Sequence, residues 1–156
     1  MQGLSTVLGV GIDIVSLPRI QEVIRRRGAD AFVKKICSSA ELDAWKSKAR
    51  GDADQLRFLS SRWAVKEAAH KALSGTHRPD SGLSLKSYSL SHGPNGAPLL
   101  SLHPASSVHI LAPSVSRQYL ESNLYPPTLT LTLLPSISHD AGLVTAIVIA
   151  GLKESD

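Results

Sequence analysis

Asp54 to Leu73, DQLRFLSSRWAVKEAAHKAL, is the longest helical candidate in the chain and contains neither glycine nor proline. At about 100° per residue, Phe58, Val65, Ala69, Ala72 and Leu73 gather on one face, whereas Leu56 and Trp63 lie nearly opposite. A helix that is apolar on two sides is usually sandwiched, so this segment is expected at the centre of the fold. Glu67 and Lys71, four residues apart, project from one side near Trp63, with His70 between them. Arg62 and Lys66 form a second, more basic edge.

Upstream, Val10, Ile12 and Ile14 alternate with Gly9, Gly11 and Asp13, which is strand patterning that points Asp13 away from Ile12 and Ile14. Ser16 and Pro18 then suit a helix start, and Leu17 to Arg27 reads as a helix whose last turn, Arg25-Arg26-Arg27, complements its dipole before Gly28. Shorter helices are expected at Asp30 to Ile36 and Ser39 to Lys48, the latter opened by Ser38 or Ser39 with Glu41 nearby, followed by a polar linker from Arg50 to Asp54. Downstream, Leu83, Leu85, Tyr88 and Leu90 read as strand, and a Gly93-Pro94-Asn95-Gly96 turn leads to Leu99 to Leu102. Within the serine- and proline-rich stretch from Pro104 to Pro127, Val115 to Leu124 is a helix candidate. Thr128 to Leu133 and Leu143 to Ala150 read as paired strands joined across Ser136-Ile137-Ser138-His139-Asp140.

The chain has 156 residues, 16.6 kDa, with 42% hydrophobic and 19% charged residues, which fits one folded domain over residues 1–156 and excludes a disordered composition. Seventeen basic against 13 acidic residues, a net charge of +4, favour an anionic partner. The single cysteine, Cys37, excludes an internal disulfide framework and points to a reducing compartment. No apolar run reaches the roughly 18 to 20 residues of a membrane span, and the first dozen residues read as a strand rather than a signal peptide. The expectation is an intracellular, cytoplasmic protein, or one of the mitochondrial matrix in a eukaryotic host, with no membrane partner. Aromatic residues at 4% leave few stacking platforms, and no nucleic-acid motif is present, so nucleic acid is not an expected partner.

A carboxylate inside an apolar strand must be solvated, hydrogen-bonded or bound to a cation, which makes Asp13 a candidate ligand or, more plainly, a half-exposed strand residue or helix cap. Glu67 and Lys71 equally read as a surface ion pair, and His139 as a solvated turn histidine. Two carboxylates with several cations suit a magnesium site that receives a phosphate ester.

Three segments resemble the signatures of the holo-[acyl-carrier-protein] synthases, the small class of 4′-phosphopantetheinyl transferases. They are Gly9-Val10-Gly11-Ile12-Asp13-Ile14-Val15 with Pro18-Arg19-Ile20, the run Phe58 to Leu73, and Ser136-Ile137-Ser138-His139. The resemblance implies the α+β phosphopantetheinyl transferase fold, an antiparallel sheet packed with a long central helix, with subunits assembling as a homotrimer that shares sites between neighbours. It implies transfer of the phosphopantetheine arm of coenzyme A to a serine of an apo acyl carrier protein, releasing adenosine 3′,5′-bisphosphate.

By the same resemblance Asp13 and Glu67 hold Mg2+, and Lys71 contacts the pyrophosphate and protonates the leaving group. Glu67, directly or through a bound water, is the candidate base. Arg62, His139 and more weakly Lys66 would bind the coenzyme, and the backbone at Gly75 would help cradle phosphate. Arg19, Arg25 and Arg26 form a candidate docking surface for the acidic carrier protein. Ser74 stands between Leu73 and Gly75 where the family often has glycine directly, and Val15 leaves no third carboxylate two residues after Asp13. Competing readings are a magnesium-dependent phosphohydrolase using the same carboxylates and a non-catalytic nucleotide-binding module.

Overall fold

A computed structural model describes residues 6–49, 51–75, 83–103 and 129–154. The alternating segment is strand β1 (Thr6–Ser16), and Pro18 in the next turn opens helix α1 (Leu17–Arg27). Gly28, at φ 81°, separates α1 from α2 (Ala29–Ile36). Helix α3 (Ser39–Lys48) starts at Ser38, whose N–H donates to the Glu41 carboxylate at 2.8 Å. The long helix α4 (Asp52–Leu73) begins within the segment expected as a linker, with Asp52 and Asp54 placed at the positive end of its dipole.

Leu85 departs from the strand expectation: Leu85–Ser87 is a 3₁₀ turn, and the strand is only β2 (Tyr88–His92), paired with β3 (Pro98–Leu102) around the expected glycine turn. The final hairpin is also tighter than expected. Ser136 to Asp140 is not the connection but the end of β4 (Leu129–Asp140), and the turn to β5 (Leu143–Glu154) is Ala141-Gly142 alone, with φ of 47° and 77°. Two positive φ values match the right-handed strand twist, so the ladder continues to the turn. His139 therefore pairs with Val144, and Ser136 with Ile147. The helix candidate at Val115 to Leu124 and the whole Pro104 to Pro127 stretch lie outside the described residues.

The five strands form one antiparallel sheet in the order β1-β5-β4-β3-β2. Helix α4 lies on one face of it, with Ala64, Val65, Ala68, Ala69 and Ala72 buried along with Val144, Ala146, Val148 and Ala150 of β5. On its other side Trp63 stacks on Phe32 of α2, while nearer the start of α4 Phe58 meets Trp45 of α3 edge-on, both at 5.4 Å between ring centroids. The two-sided helix is thus sandwiched, as its pattern implies.

The contact of α4 with β1 is made by backbone. A Cβ on Gly9 would stand 2.2 Å from the Ala72 carbonyl oxygen, and one on Gly11 would stand 1.9 Å from that of Ala68. The glycine and carboxylate face of β1 is therefore turned to the helix, and its apolar residues face outward, Val10 at 57% and Ile14 at 60% exposure. Val10 pairs with Ile149, which pairs with Leu134, and Ile12 pairs with Ile147. With Val10, Ile12, Ile14, Leu134 and Ile147 all exposed, the sheet face away from α4 carries a broad apolar surface. Gly11→Ala is expected to cost about 3 kcal/mol or more by forcing β1 off the helix, read as a lowered midpoint in urea unfolding; a native midpoint would disprove the close packing.

Candidate active site

Asp13 follows Gly11 on the helix-facing side of β1, and its Oδ1 accepts a hydrogen bond from Lys71 Nζ at 2.8 Å. The same ammonium donates to the Ile12 carbonyl at 3.0 Å, so Lys71 is clamped across the edge strand. Glu67 lies one turn earlier on α4 and one residue before Ala68, the residue Gly11 abuts. Glu67 is half-buried and makes no hydrogen bond or ion pair among the described residues. The structure thus joins Lys71 to Asp13, with the lysine ammonium seated on the strand carboxylate, and places Glu67 one helical turn before Lys71 on the same helix.

The donor set is one that suits magnesium. No group of three or more His, Cys, Asp or Glu with the geometry to hold a metal ion occurs among the described residues, and magnesium is commonly held by one or two carboxylates together with waters and substrate phosphates.

A second, oppositely charged cluster lines a cleft of about 600 Å³ where α3, α4 and the β4–β5 turn meet. Lys48, Arg57, Arg62, His92 and His139 converge there, with Asp54 and Asp140 also lining the cleft. Arg62 is buried, with its guanidinium carbon 3.3 Å from the centroid of the Phe58 ring and Nη1 donating to the Phe58 carbonyl at 3.3 Å. Burial, outweighing the attraction of Glu41, lowers its pKa. Burial first, then the charges of Arg62 and Lys48, also hold His92 below the ordinary histidine value. A histidine whose protonation is opposed by the neighbouring Arg62 and Lys48 charges marks a site where a bound anion would offset positive charge. The sequence reading finds Arg62 and His139 but not Lys48, Arg57 or His92, which sit on different turns and strands and share no spacing.

Lys66 corrects an expectation. It is fully buried, 0% exposed, with Nζ donating to the Ile36 carbonyl at 2.7 Å and to Glu41 Oε2 at 2.5 Å. Glu41 also accepts the Leu90 N–H at 2.9 Å and lies 3.4 Å from Arg62 Nε. A lysine enclosed in this way cannot meet a coenzyme; its role is to neutralise Glu41 and tie α4 to α2, α3 and β2. Around this pair burial and the Glu41 charge push the Cys37 thiol up to about 11, so the lone cysteine stays protonated. The sequence cue was the Ser38-to-Glu41 spacing, which names a capping residue without revealing that its carboxylate points inward.

Gly75 is exposed just past α4, and a Cβ placed on it would meet nothing within 4 Å, so its backbone is open to solvent on that side. Among the proposed docking arginines, Arg25 is engaged by Glu22 at 2.7 and 2.8 Å on its own helix, which spends its charge locally. Arg19 and Arg26 differ: with Arg27 and Lys35 they surround a small cleft floored by Phe32 and Trp63.

The chain matches the model of the 4′-phosphopantetheinyl transferase superfamily over residues 9–122. A holo-[acyl-carrier-protein] synthase of Aliivibrio salmonicida is 36% identical over 115 residues, covering 73% of this chain and 85% of that protein. The chain belongs to the holo-[acyl-carrier-protein] synthases. Holo-[acyl-carrier-protein] synthase from Neisseria meningitidis superposes with a TM-score of 0.66 at 27% identity, over 92% of this chain and 98% of that one. The Helicobacter pylori synthase, solved in complex with coenzyme A, gives 0.61 at 28% identity, over 91% and 99%. The α+β transferase fold implied by the three motifs is the fold of this member, and it is an enzyme of phosphopantetheine transfer. No helix among the described residues is long and apolar enough to cross a membrane.

Because Lys66 neutralises a buried carboxylate, Lys66→Met should cost this synthase about 3–5 kcal/mol of stability, measured by urea unfolding; retained stability with weakened coenzyme binding would return Lys66 to the ligand site.

Proposed function

We propose that the chain transfers 4′-phosphopantetheine from coenzyme A to a serine of an apo acyl carrier protein, with magnesium between Asp13 and Glu67, and that one coenzyme is shared by two copies of the chain. The observation that carries this reading is the placement of two oppositely charged clusters on one helix. Arg62 and Glu67 are five residues apart on α4, about 140° around it, and Arg62 and Lys71 are nine apart, about 180°. On this reading a coenzyme whose nucleotide phosphates sit on the cation cleft meets the carboxylates of a neighbouring copy, which approach it from outside, rather than those on the far flank of its own helix. The exposed apolar sheet face of Val10, Ile12, Ile14 and Ile147 supports assembly, and the homotrimer implied by the motifs closes such sites between neighbours.

The serine oxygen attacks the phosphorus that carries the pantetheine arm, and the bond from that phosphorus to the bridging pyrophosphate oxygen breaks. Adenosine 3′,5′-bisphosphate leaves. Bound magnesium would supply positive charge against the pyrophosphate. Glu67, which has no ion partner among the described residues, takes the serine proton, and Lys71, held at Asp13, gives a proton to the departing phosphate oxygen. Arg57, Arg62, Lys48, His92 and His139 bind the nucleotide end. The carrier protein docks at Arg19, Arg26, Arg27 and Lys35, beside Trp63 and so one helical turn from Glu67.

Incubation with coenzyme A, magnesium and an apo carrier protein should add the phosphopantetheine mass to the carrier. Asp13→Ala and Glu67→Ala should each abolish that gain while leaving the circular dichroism spectrum native, and an active Glu67→Ala protein would end the assignment. Coenzyme hydrolysis without transfer would favour the phosphohydrolase instead. Ile12→Asp, on the outward sheet face, should give a folded monomer by sedimentation with transfer lost; a fully active monomer would rule out the shared site.

A further inference from the structure

Glu41 takes part in capping α3, yet its carboxylate is buried and held by more donors than a cap uses. Oε2 accepts the Ser38 N–H at 2.8 Å, the Ser38 hydroxyl at 3.2 Å and the Lys66 ammonium, and Oε1 accepts the Leu90 N–H at 2.9 Å. Donors from the start of α3, from α4 and from β2 thus fix both oxygens. A buried ion pair adds little net stability over an apolar pair of similar volume, so stability gives no reason for the charges on Glu41 and Lys66. The remaining neighbour is Arg62, whose Nε stands 3.4 Å from Glu41 Oε1. That nitrogen is buried and donates no hydrogen bond among the described residues, and Glu41 is its ion partner.

A guanidinium is planar, and three contacts set its direction here. The Phe58 ring lies against its face, Nη1 donates to the Phe58 carbonyl at 3.3 Å, and Glu41 stands against the Nε edge. The first two come from the preceding turn of α4, whereas Glu41, from α3, ties Arg62 to a second element. We propose that Glu41 is a positioning residue for coenzyme binding: its immobilised carboxylate holds the Arg62 guanidinium in the cleft, preset for an anion. This rests on the reading that the cleft with Arg57, His92 and His139 takes the nucleotide end of the coenzyme. A preset cation lowers the ordering cost of binding, so its loss reads out in affinity for the coenzyme rather than in turnover.

The test is steady-state transfer by the full chain, with coenzyme A and apo carrier protein varied separately, alongside urea unfolding. Glu41→Gln alone would strand the buried Lys66 charge, so it is combined with Lys66→Met. This double variant should unfold near the native midpoint, raise the KM for coenzyme A by about tenfold, and leave kcat and the KM for the carrier native. Arg62→Ala should raise the same KM, and adding the double variant to it should raise it no further. Glu41→Asp keeps the charge pair while drawing the carboxylate back by one methylene; it should raise the KM for coenzyme A several-fold, and it decides the matter if the double variant does not fold. If Arg62→Ala keeps the native KM for coenzyme A, the reading of the cleft fails and this inference with it. Suppose instead that Arg62→Ala raises that KM while a folded Glu41 variant keeps the native value, that the two effects add, or that kcat and the carrier KM shift as far as the coenzyme KM. Each of those results overturns the role of Glu41 alone.

Discussion

The backbone contact between β1 and α4 is the constraint on which the rest depends. With Gly9 and Gly11 against the Ala72 and Ala68 carbonyls, the strand comes as close to the helix as main chain permits. At that distance no side chain fits on the inner face until Asp13, two residues on, where Lys71 reaches across to it. Asp13 and Lys71 are therefore adjacent because the strand and helix are pressed together at the glycines. The same contact turns Val10, Ile12 and Ile14 outward, so the packing that builds the site also builds the face suited to a second copy.

The middle of the helix is held by charge rather than by small residues. Glu41, from α3, gathers the Lys66 ammonium, the Leu90 N–H and the Ser38 N–H, and stands beside Arg62. A hydrogen-bonded chain continues from Ser38 to Ser89, at 2.5 Å, and on to His103 Nε2. A buried pair of this kind adds little net stability over an apolar substitute but strongly penalises any arrangement that leaves one partner alone. Its consequence is directional: with Lys66 spent on Glu41, Arg62 is oriented over Phe58 and toward the cleft with His92 and His139. One helix thus carries an anchored cation cluster on one flank and carboxylate chemistry on the other.

Much of this was legible in the residues. The alternation around Asp13, the glycine after Arg27, the glycine turn at Gly93 to Gly96 and the two apolar faces of the long helix each name an element, and the elements occur. Three short motifs were enough to name the family, because each concentrates residues whose chemistry is specific: glycines before a strand aspartate, a glutamate and lysine one turn apart, a serine-histidine pair. The Ser136 to Asp140 segment misled because serine and aspartate favour turns locally, while the two-residue Ala141-Gly142 turn let the strand run on. Lys66 misled because a lysine in a helix pattern is ordinarily solvated, and nothing local records that Glu41, 25 residues away, will bury it.

By itself the sequence determined the family and the order of the described elements, since those follow from local period and from side-chain chemistry at short spacing. Only the tertiary structure decided which face of β1 is inside, which lysine is spent on an internal carboxylate, and which of the scattered cations Lys48, Arg57 and His92 join Arg62 and His139. Those outcomes are set by contacts between elements distant in the chain, where a close backbone approach or a buried charge excludes alternatives that every local pattern still allows.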